Sequence, residues 1–217
     1  RSIADDYRKR YGIDMQVVRN IPFAAQKSKK RADPVILENY GKKVLLYQGA
    51  VNLGRGIEWV IDAMPYLDDF VFYIVGDGDR LEALRAQVEH LQLGDRVFFT
   101  GRVPFEDLAA YTAQADIGIN LLENRGLNYY YSLPNRIFDF IRAGIPVLSC
   151  DFPEIRNIVA HYGTGALVDR FEPEYLAGKI RELASNPIDY KAFEIANAEL
   201  TWENEAETLL KVIESAR

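Results

Sequence analysis

Asp139 is the carboxylate whose setting in the sequence suggests chemistry. In the stretch from Asn128 to Cys150, NYYYSLPNRIFDFIRAGIPVLSC, a polar and aromatic loop leads into a short helix, a Gly-Ile-Pro corner and a buried strand. Ile137, Phe138 and Ile141 share one helical face, while Asn135, Arg136 and Asp139 fall on the opposite one. A carboxylate that points away from the core on a core-packed helix is held still beside a ligand. It can accept charge-assisted hydrogen bonds from hydroxyls.

A second stretch, Gly49-Ala-Val-Asn-Leu-Gly-Arg-Gly56, runs from a strand into a helix. Gly49, Gly54 and Gly56 let backbone N–H groups approach an anion, the helix start favours negative charge, and Arg55 offers a guanidinium fork. The pattern is neither a Walker A loop nor the Gly-x-Gly-x-x-Gly dinucleotide fingerprint, and a plain tight turn accounts for the glycines equally well. Gly76-Asp77-Gly78-Asp79 can shape a wall against a base, or simply open a helix with Asp79 as its N-cap. Gly101-Arg102-Val103-Pro104 leaves backbone free to read the edge of a base. Tyr129, Tyr130 and Tyr131 are core or sugar platform. Three consecutive rings cannot all face one core, so at least one is expected to be exposed.

Other chemistries lack their residues. His90 and His161 have no metal-ligand spacing and read as structural or solvent-facing. There is no Gly-x-Ser-x-Gly elbow and no Cys–His pairing. Cys150, the single cysteine, ends an apolar strand and reads as a packed thiol; it excludes an internal disulfide and fits a reducing compartment. The net charge of −6 gives no support to a nucleic-acid partner, and the basic run Lys27 to Arg31 reads as a solvated loop. No run approaches a membrane span and no signal peptide is visible. The chain opens on Arg1 rather than Met, which reads as a fragment or trimmed chain.

The elements that must position these groups follow from the periodicity. Ile3, Tyr7 and Tyr11 mark a short helix closed by Gly12, Met15 to Arg19 is a short strand candidate, and residues 23–42 read as loop, with only Val35 to Leu37 apolar. From Lys43 strands and helices alternate. The strands are Val44–Tyr47, Phe70–Val75, Val97–Thr100, Ile117–Leu122, Pro146–Cys150 and Ala166–Val168. Amphipathic helices separate them, and the tail is expected to form two more, one through Leu176 and Leu183 and one from Trp202 to Ile213. This order predicts an α/β, Rossmann-like parallel sheet with helices on both faces. In such a sheet ligands bind beyond the carboxyl ends of the strands. The expected organisation is a lead-in over residues 1–42 and one domain over residues 43–217.

Taken in order, these pieces resemble the carboxy-terminal, donor-binding half of GT-B glycosyltransferases, most closely the large retaining group called family four. The segments that carry the likeness are VVRNIPF, LLYQGAVNLGRGIEWVIDAM, FYIVGDGD, VFFTGRVPFEDLAAYTAQADIGINLL, SLPNRIFDFIRAGIPVLSCDFPEI and TWENEAETLL. They span nearly the whole chain.

The resemblance implies a hexosyltransferase donor domain that binds a nucleoside diphosphate sugar, of UDP or GDP type, with no separate cofactor and no metal. Gly49, Gly54 and Arg55 match the family's diphosphate-binding turn, with Arg55 stabilising the leaving diphosphate. Gly76 and Val103 match the strand ends that border the base. Asp139 matches the second acid of a pair eight residues apart, which holds the ribose hydroxyls. Eight residues earlier, where the family often has Glu, stands Tyr131; the first basic residue of the turn is replaced by Ala50; and Pro134 removes one amide, leaving Ser132, Leu133 and Asn135 as donors. The resemblance also implies a missing amino-terminal domain that takes a glycan or lipid-linked acceptor. It implies cytoplasmic work in polysaccharide or glycolipid synthesis, with peripheral attachment to the inner face of the membrane as an option. The alternative is a nucleotide-binding module or subunit without catalysis.

Overall fold

The computed structural model describes residues 2–24 and 36–215 of the chain; the Lys27 to Arg31 run and Val35 lie outside them. Six strands form one sheet: β1 (Lys43–Gln48), β2 (Phe70–Val75), β3 (Val97–Gly101), β4 (Ile117–Asn120), β5 (Val147–Cys150) and β6 (Gly165–Val168). Their spatial order is β3-β2-β1-β4-β5-β6 and every pairing is parallel. β1, β2, β4 and β5 are buried apolar runs, as a sheet covered on both faces requires. The expected α/β parallel sheet is therefore the observed one.

After β1 the chain winds toward β3, then returns to place β4 on the other side of β1. The topological switch point lies between the ends of β1 and β4, the place where open parallel sheets hold a crevice for ligands. One face of the sheet is covered by α2 (Ile57–Ala63), α3 (Leu81–His90) and α8 (Pro173–Ser185) around Leu45, Ile61, Phe72 and Ile180. The other is covered by α4 (Phe105–Thr112), α6 (Arg136–Ala143), α7 (Pro153–Tyr162) and α9 (Tyr190–Glu199) around Leu46, Phe138, Phe140 and Ile155. A Cβ on Gly118 of β4 would lie 2.4 Å from the Phe140 ring, so the glycine is what lets α6 sit down on the sheet.

α1 (Ser2–Tyr11) forms where the spacing of Ile3, Tyr7 and Tyr11 places it, and α10 (Trp202–Ser215) closes the described chain. Four elements differ from the sequence reading. Met15 to Arg19 is not a strand. It runs along the outside of the fold, where the Arg19 amide and guanidinium bind the Glu205 carboxylate of α10, the amide at 2.8 Å. β4 ends at Asn120 rather than Leu122, and α9 with a short α5 (Leu127–Tyr130) appear where no helix was expected. α5 is a single turn begun at Gly126, too short to leave a periodic signature.

Candidate active site at the switch point

The loop after β1 is laced to its neighbours. The Gly49 amide donates to the Val75 carbonyl at 2.9 Å, the Val51 amide to Asp77 O at 2.9 Å, and the Glu123 amide to Gly54 O at 3.0 Å. Asp79 is not an N-cap. Its Oδ1 accepts from the Leu53 amide at 3.1 Å, and α3 starts after Arg80 without a side-chain cap. The acid is drawn away from its own helix because this amide of the β1 loop needs an acceptor. Gly76, at φ 148°, passes so close to Gly49 that a Cβ on it would stand 1.9 Å from Gly49 O. Gly54, at φ 81°, lies where a Cβ would meet the Arg125 side chain at 2.7 Å. Gly76 lets the β1 and β2 loops press together, Gly54 brings the β1 loop onto the segment after β4, and Gly49 and Ala50 stay exposed beside the switch point.

The polar face of α6 is largely turned away from solvent, with Arg136 buried and Asp139 half-buried. It lies over the end of β1. Gln48, 1 % exposed, donates from Nε2 to Asp139 Oδ2 at 2.9 Å and accepts from Thr112 Oγ1 at 2.8 Å. Burial pushes the Asp139 carboxyl above its usual range, opposed by the Gln48 hydrogen bond and by Arg142 and Arg136. Asp139 is thus oriented through one oxygen, at the end of β1.

Arg136, one turn earlier, is 8 % exposed. Its Cζ sits 4.3 Å above the Tyr47 ring, whose hydroxyl donates to Ala50 O at 2.6 Å. A Cβ on Gly49 would come within 3.7 Å of Arg136 Nη2. Arg136 Nη1 is buried without a hydrogen-bond partner, and the same is true of Arg55 Nε. Burial works against the Arg136 cation, and Arg55 adds a repulsion that Asp139 and Tyr47 offset. Arg55 itself lies 5.7 Å from the Tyr129 ring. The spacing of α6 put Arg136 on the same face as Asp139, but nothing in the sequence marked it as buried.

Gly49, Gly54 and Arg55 on the loop after β1, Gly76 just beyond β2 and Asp139, bonded to Gln48 at the end of β1, therefore lie at the carboxyl ends of adjacent strands, and Val103 stands half-buried just beyond β3, on the same edge of the sheet. The 131–135 stretch is disposed differently. Tyr131 and Leu133 open onto a cavity of about 290 Å³ shared with Ile3, Met15, Val17 and Asn20 of the lead-in. The Ser132 amide and hydroxyl both donate to Tyr129 O, the hydroxyl at 2.8 Å, because they close the α5 turn, so neither is a spare donor. Asn135 is exposed, and its Oδ1 accepts from Asn20 Nδ2 at 3.4 Å. The three tyrosines are all half-buried, none exposed as expected, because α5 fans them onto three neighbours. Tyr129 turns to Leu53 and Arg55, Tyr130 to Phe152 at 5.1 Å, and Tyr131 to the lead-in cavity.

Cys150 is packed and its thiol is pushed up to about 12 by burial, which makes it inert. His90 and His161 are exposed. Among the described residues no three His, Cys, Asp or Glu side chains group as metal ligands, and no helix is long and apolar enough to cross a membrane.

Comparison with known proteins gives this arrangement a family. Alpha-monoglucosyldiacylglycerol synthase of Streptococcus pneumoniae is 30% identical over 148 residues, covering 65% of this chain and 31% of that protein. The GDP-mannose-dependent alpha-(1-6)-phosphatidylinositol monomannoside mannosyltransferase of Mycobacterium tuberculosis is 29% identical over 134 residues, covering 59% of this chain and 35% of that one. Sucrose-phosphate synthase from Thermosynechococcus elongatus superposes with a TM-score of 0.74 at 23% identity, over 98% of this chain and 56% of its own. Anabaena HepE in complex with UDP-glucose superposes at 0.69 with 20% identity, over 80% of this chain and 49% of its own. The chain spans about a third of the length of these curated relatives and about half of these solved structures. A model described as glycosyl transferases group 1 matches residues 42–186, from the start of β1 to the end of α8, and the chain belongs to that family.

Proposed function

We propose that this chain is the donor-binding half of a hexosyltransferase, and that its crevice holds a nucleoside diphosphate sugar for transfer to a glycan or lipid-linked acceptor. The observation that carries the reading is Arg55. It is a guanidinium with an unpartnered buried Nε on the glycine loop after β1, the strand whose last residue, Gln48, holds a half-buried carboxylate. In this reading Arg55 binds the diphosphate and stabilises the charge that grows on it as the sugar leaves. Asp139, steadied by Gln48, accepts the ribose hydroxyls. Gly76 and Val103 border the base. The relatives favour a UDP or GDP donor, since one is named for GDP-mannose and another was solved with UDP-glucose.

Residues 43–217 form the donor domain in this reading, and residues 1–42 the lead-in from the acceptor-binding half, which supplies the rest of the cleft. The whole protein then works on the cytoplasmic side of the membrane, attached peripherally where its acceptor is a lipid. Tyr131, turned toward the lead-in cavity rather than the crevice, favours a second reading in which the chain binds nucleotide without transfer.

Calorimetric titration with UDP, GDP and ADP tests the first reading. Binding of UDP or GDP is expected, weakened about 10- to 100-fold in Arg55→Met and Asp139→Ala, the range for loss of a charge-assisted hydrogen bond. Absence of binding by any of the three at millimolar concentration would overturn it. Sugar transfer by the full-length protein separates the two readings.

A further inference from the structure

The donor site as read so far leaves one buried charge unexplained. Arg136 is more than nine-tenths buried, yet it makes no ion pair among the described residues. A guanidinium taken out of water needs a counter-charge or a full set of hydrogen bonds. The Tyr47 face supplies part of that from one side, and Asp139 acts only at longer range with one oxygen committed to Gln48. Nη1 has neither. The guanidinium lies beside the Gly49 turn: a Cβ on Gly49 would stand 3.7 Å from Nη2, an ordinary contact distance.

Arg55 presents a second unpartnered nitrogen nearby, close enough to oppose the Arg136 cation. A bound ligand with two adjacent negative charges removes both the repulsion and the missing hydrogen bonds. A neutral hydroxyl can accept a hydrogen bond but leaves the repulsion, and a single negative charge satisfies one guanidinium and leaves the other.

We infer that Arg136 is a second phosphate-binding residue of the donor site, its guanidinium donating to an anionic oxygen above the Gly49 turn, so that Arg136 and Arg55 together require a diphosphate. The inference rests on the nucleotide-binding reading of the same crevice. It also explains how the turn works with Ala50 in place of a basic residue: the cation comes from α6, 86 residues further along the chain, rather than from the loop. Arg136 is then the residue that discriminates nucleoside diphosphates from monophosphates.

The test is calorimetry with UDP, GDP, UMP and GMP on the wild-type chain, Arg136→Met and Arg136→Lys. For whichever base binds more tightly, Arg136→Met is expected to weaken the diphosphate about 10- to 100-fold and the monophosphate less than about threefold. Arg136→Lys keeps the charge without the fork, and is expected to fall between wild type and Met. Thermal melts establish that each variant is folded. If Met does not fold, the Lys variant alone decides, because a selective loss for the diphosphate is still required of it. Equal affinity of folded variants and wild type for the diphosphate would overturn the role of Arg136 and leave the nucleotide reading standing. Equal losses for diphosphate and monophosphate would show a structural cation and also overturn it. Failure of the wild type to bind any of the four nucleotides would remove the donor reading and this inference together.

Discussion

Replacing Gln48 by Met removes the one side-chain donor that Asp139 has among the described residues, while keeping the volume of a buried site. Gln48 is 1 % exposed, and its amide joins Asp139 Oδ2 at 2.9 Å to Thr112 Oγ1 at 2.8 Å. The two ends are not equal. Thr112 also donates to Leu108 O at 2.9 Å, so its hydroxyl stays satisfied when Gln48 is lost. Asp139 has no such reserve, and a hydrogen bond to a buried carboxylate contributes about 1.5–3 kcal/mol. With a urea m-value of about 2 kcal/mol/M, the denaturation midpoint at pH 8 should fall by about 1 M at unchanged slope.

The loss should depend on pH, with a definite sign. Burial already raises the native Asp139 value above that of the unfolded chain, and the Gln48 bond pulls it back down. Without that bond the native value rises further. The native state of the variant then holds a proton over a wider range than the unfolded state does. Its stability therefore falls more steeply as pH rises from the unfolded carboxylate value through the native one. Below that window the carboxyl is neutral in both states and most of the deficit disappears. Urea melts of both proteins at pH 4, 6 and 8 measure this. A deficit below about 0.5 kcal/mol, or one that does not grow with pH, would refute the assignment of Gln48 as the group that holds an ionised Asp139.

Two further outcomes follow from the packing. Gly76→Ala places a Cβ 1.9 Å from Gly49 O at a φ of 148°, so the β1 and β2 loops must separate; the expected cost is about 1–3 kcal/mol in a urea melt, with weakened nucleotide binding at the displaced turn. Cys150, with its thiol pushed up to about 12 and no exposed surface, should resist iodoacetamide at pH 8 in the native protein and react once urea unfolds it; a native rate near that of a free thiol would contradict its burial.

Several features were legible in the sequence because they are local. The four apolar runs of β1, β2, β4 and β5 declare buried parallel strands, and their alternation with amphipathic helices declares the layering. Gly49, Gly76 and Gly101 stand at or just beyond strand ends, so the loops of the crevice could be found from sequence. Asp139 could be placed on the polar side of α6 from spacing alone. Where local pattern misled, the reason was a partner distant in the chain. Met15 to Arg19 has the apolar character of a strand, but the Arg19 amide is taken by Glu205, 186 residues away, and no strand pairs with the segment. Asp79 has the position of a cap, but the Leu53 amide claims it.

The same distinction divides the site. Residue types, spacing and glycine placement determined by themselves that a carboxylate, a guanidinium and flexible backbone would sit at the ends of parallel strands. Only the tertiary structure decided what the polar face of α6 looks at. Periodicity separates the faces of a helix, but it cannot say whether the polar one meets water or the end of another element. Here it meets β1, so Gln48 reaches Asp139 across 91 residues and Arg136 is buried on Tyr47 with one nitrogen unpartnered. Such a contact arises from the crossing of the chain at the switch point, and no window of local sequence contains both of its sides.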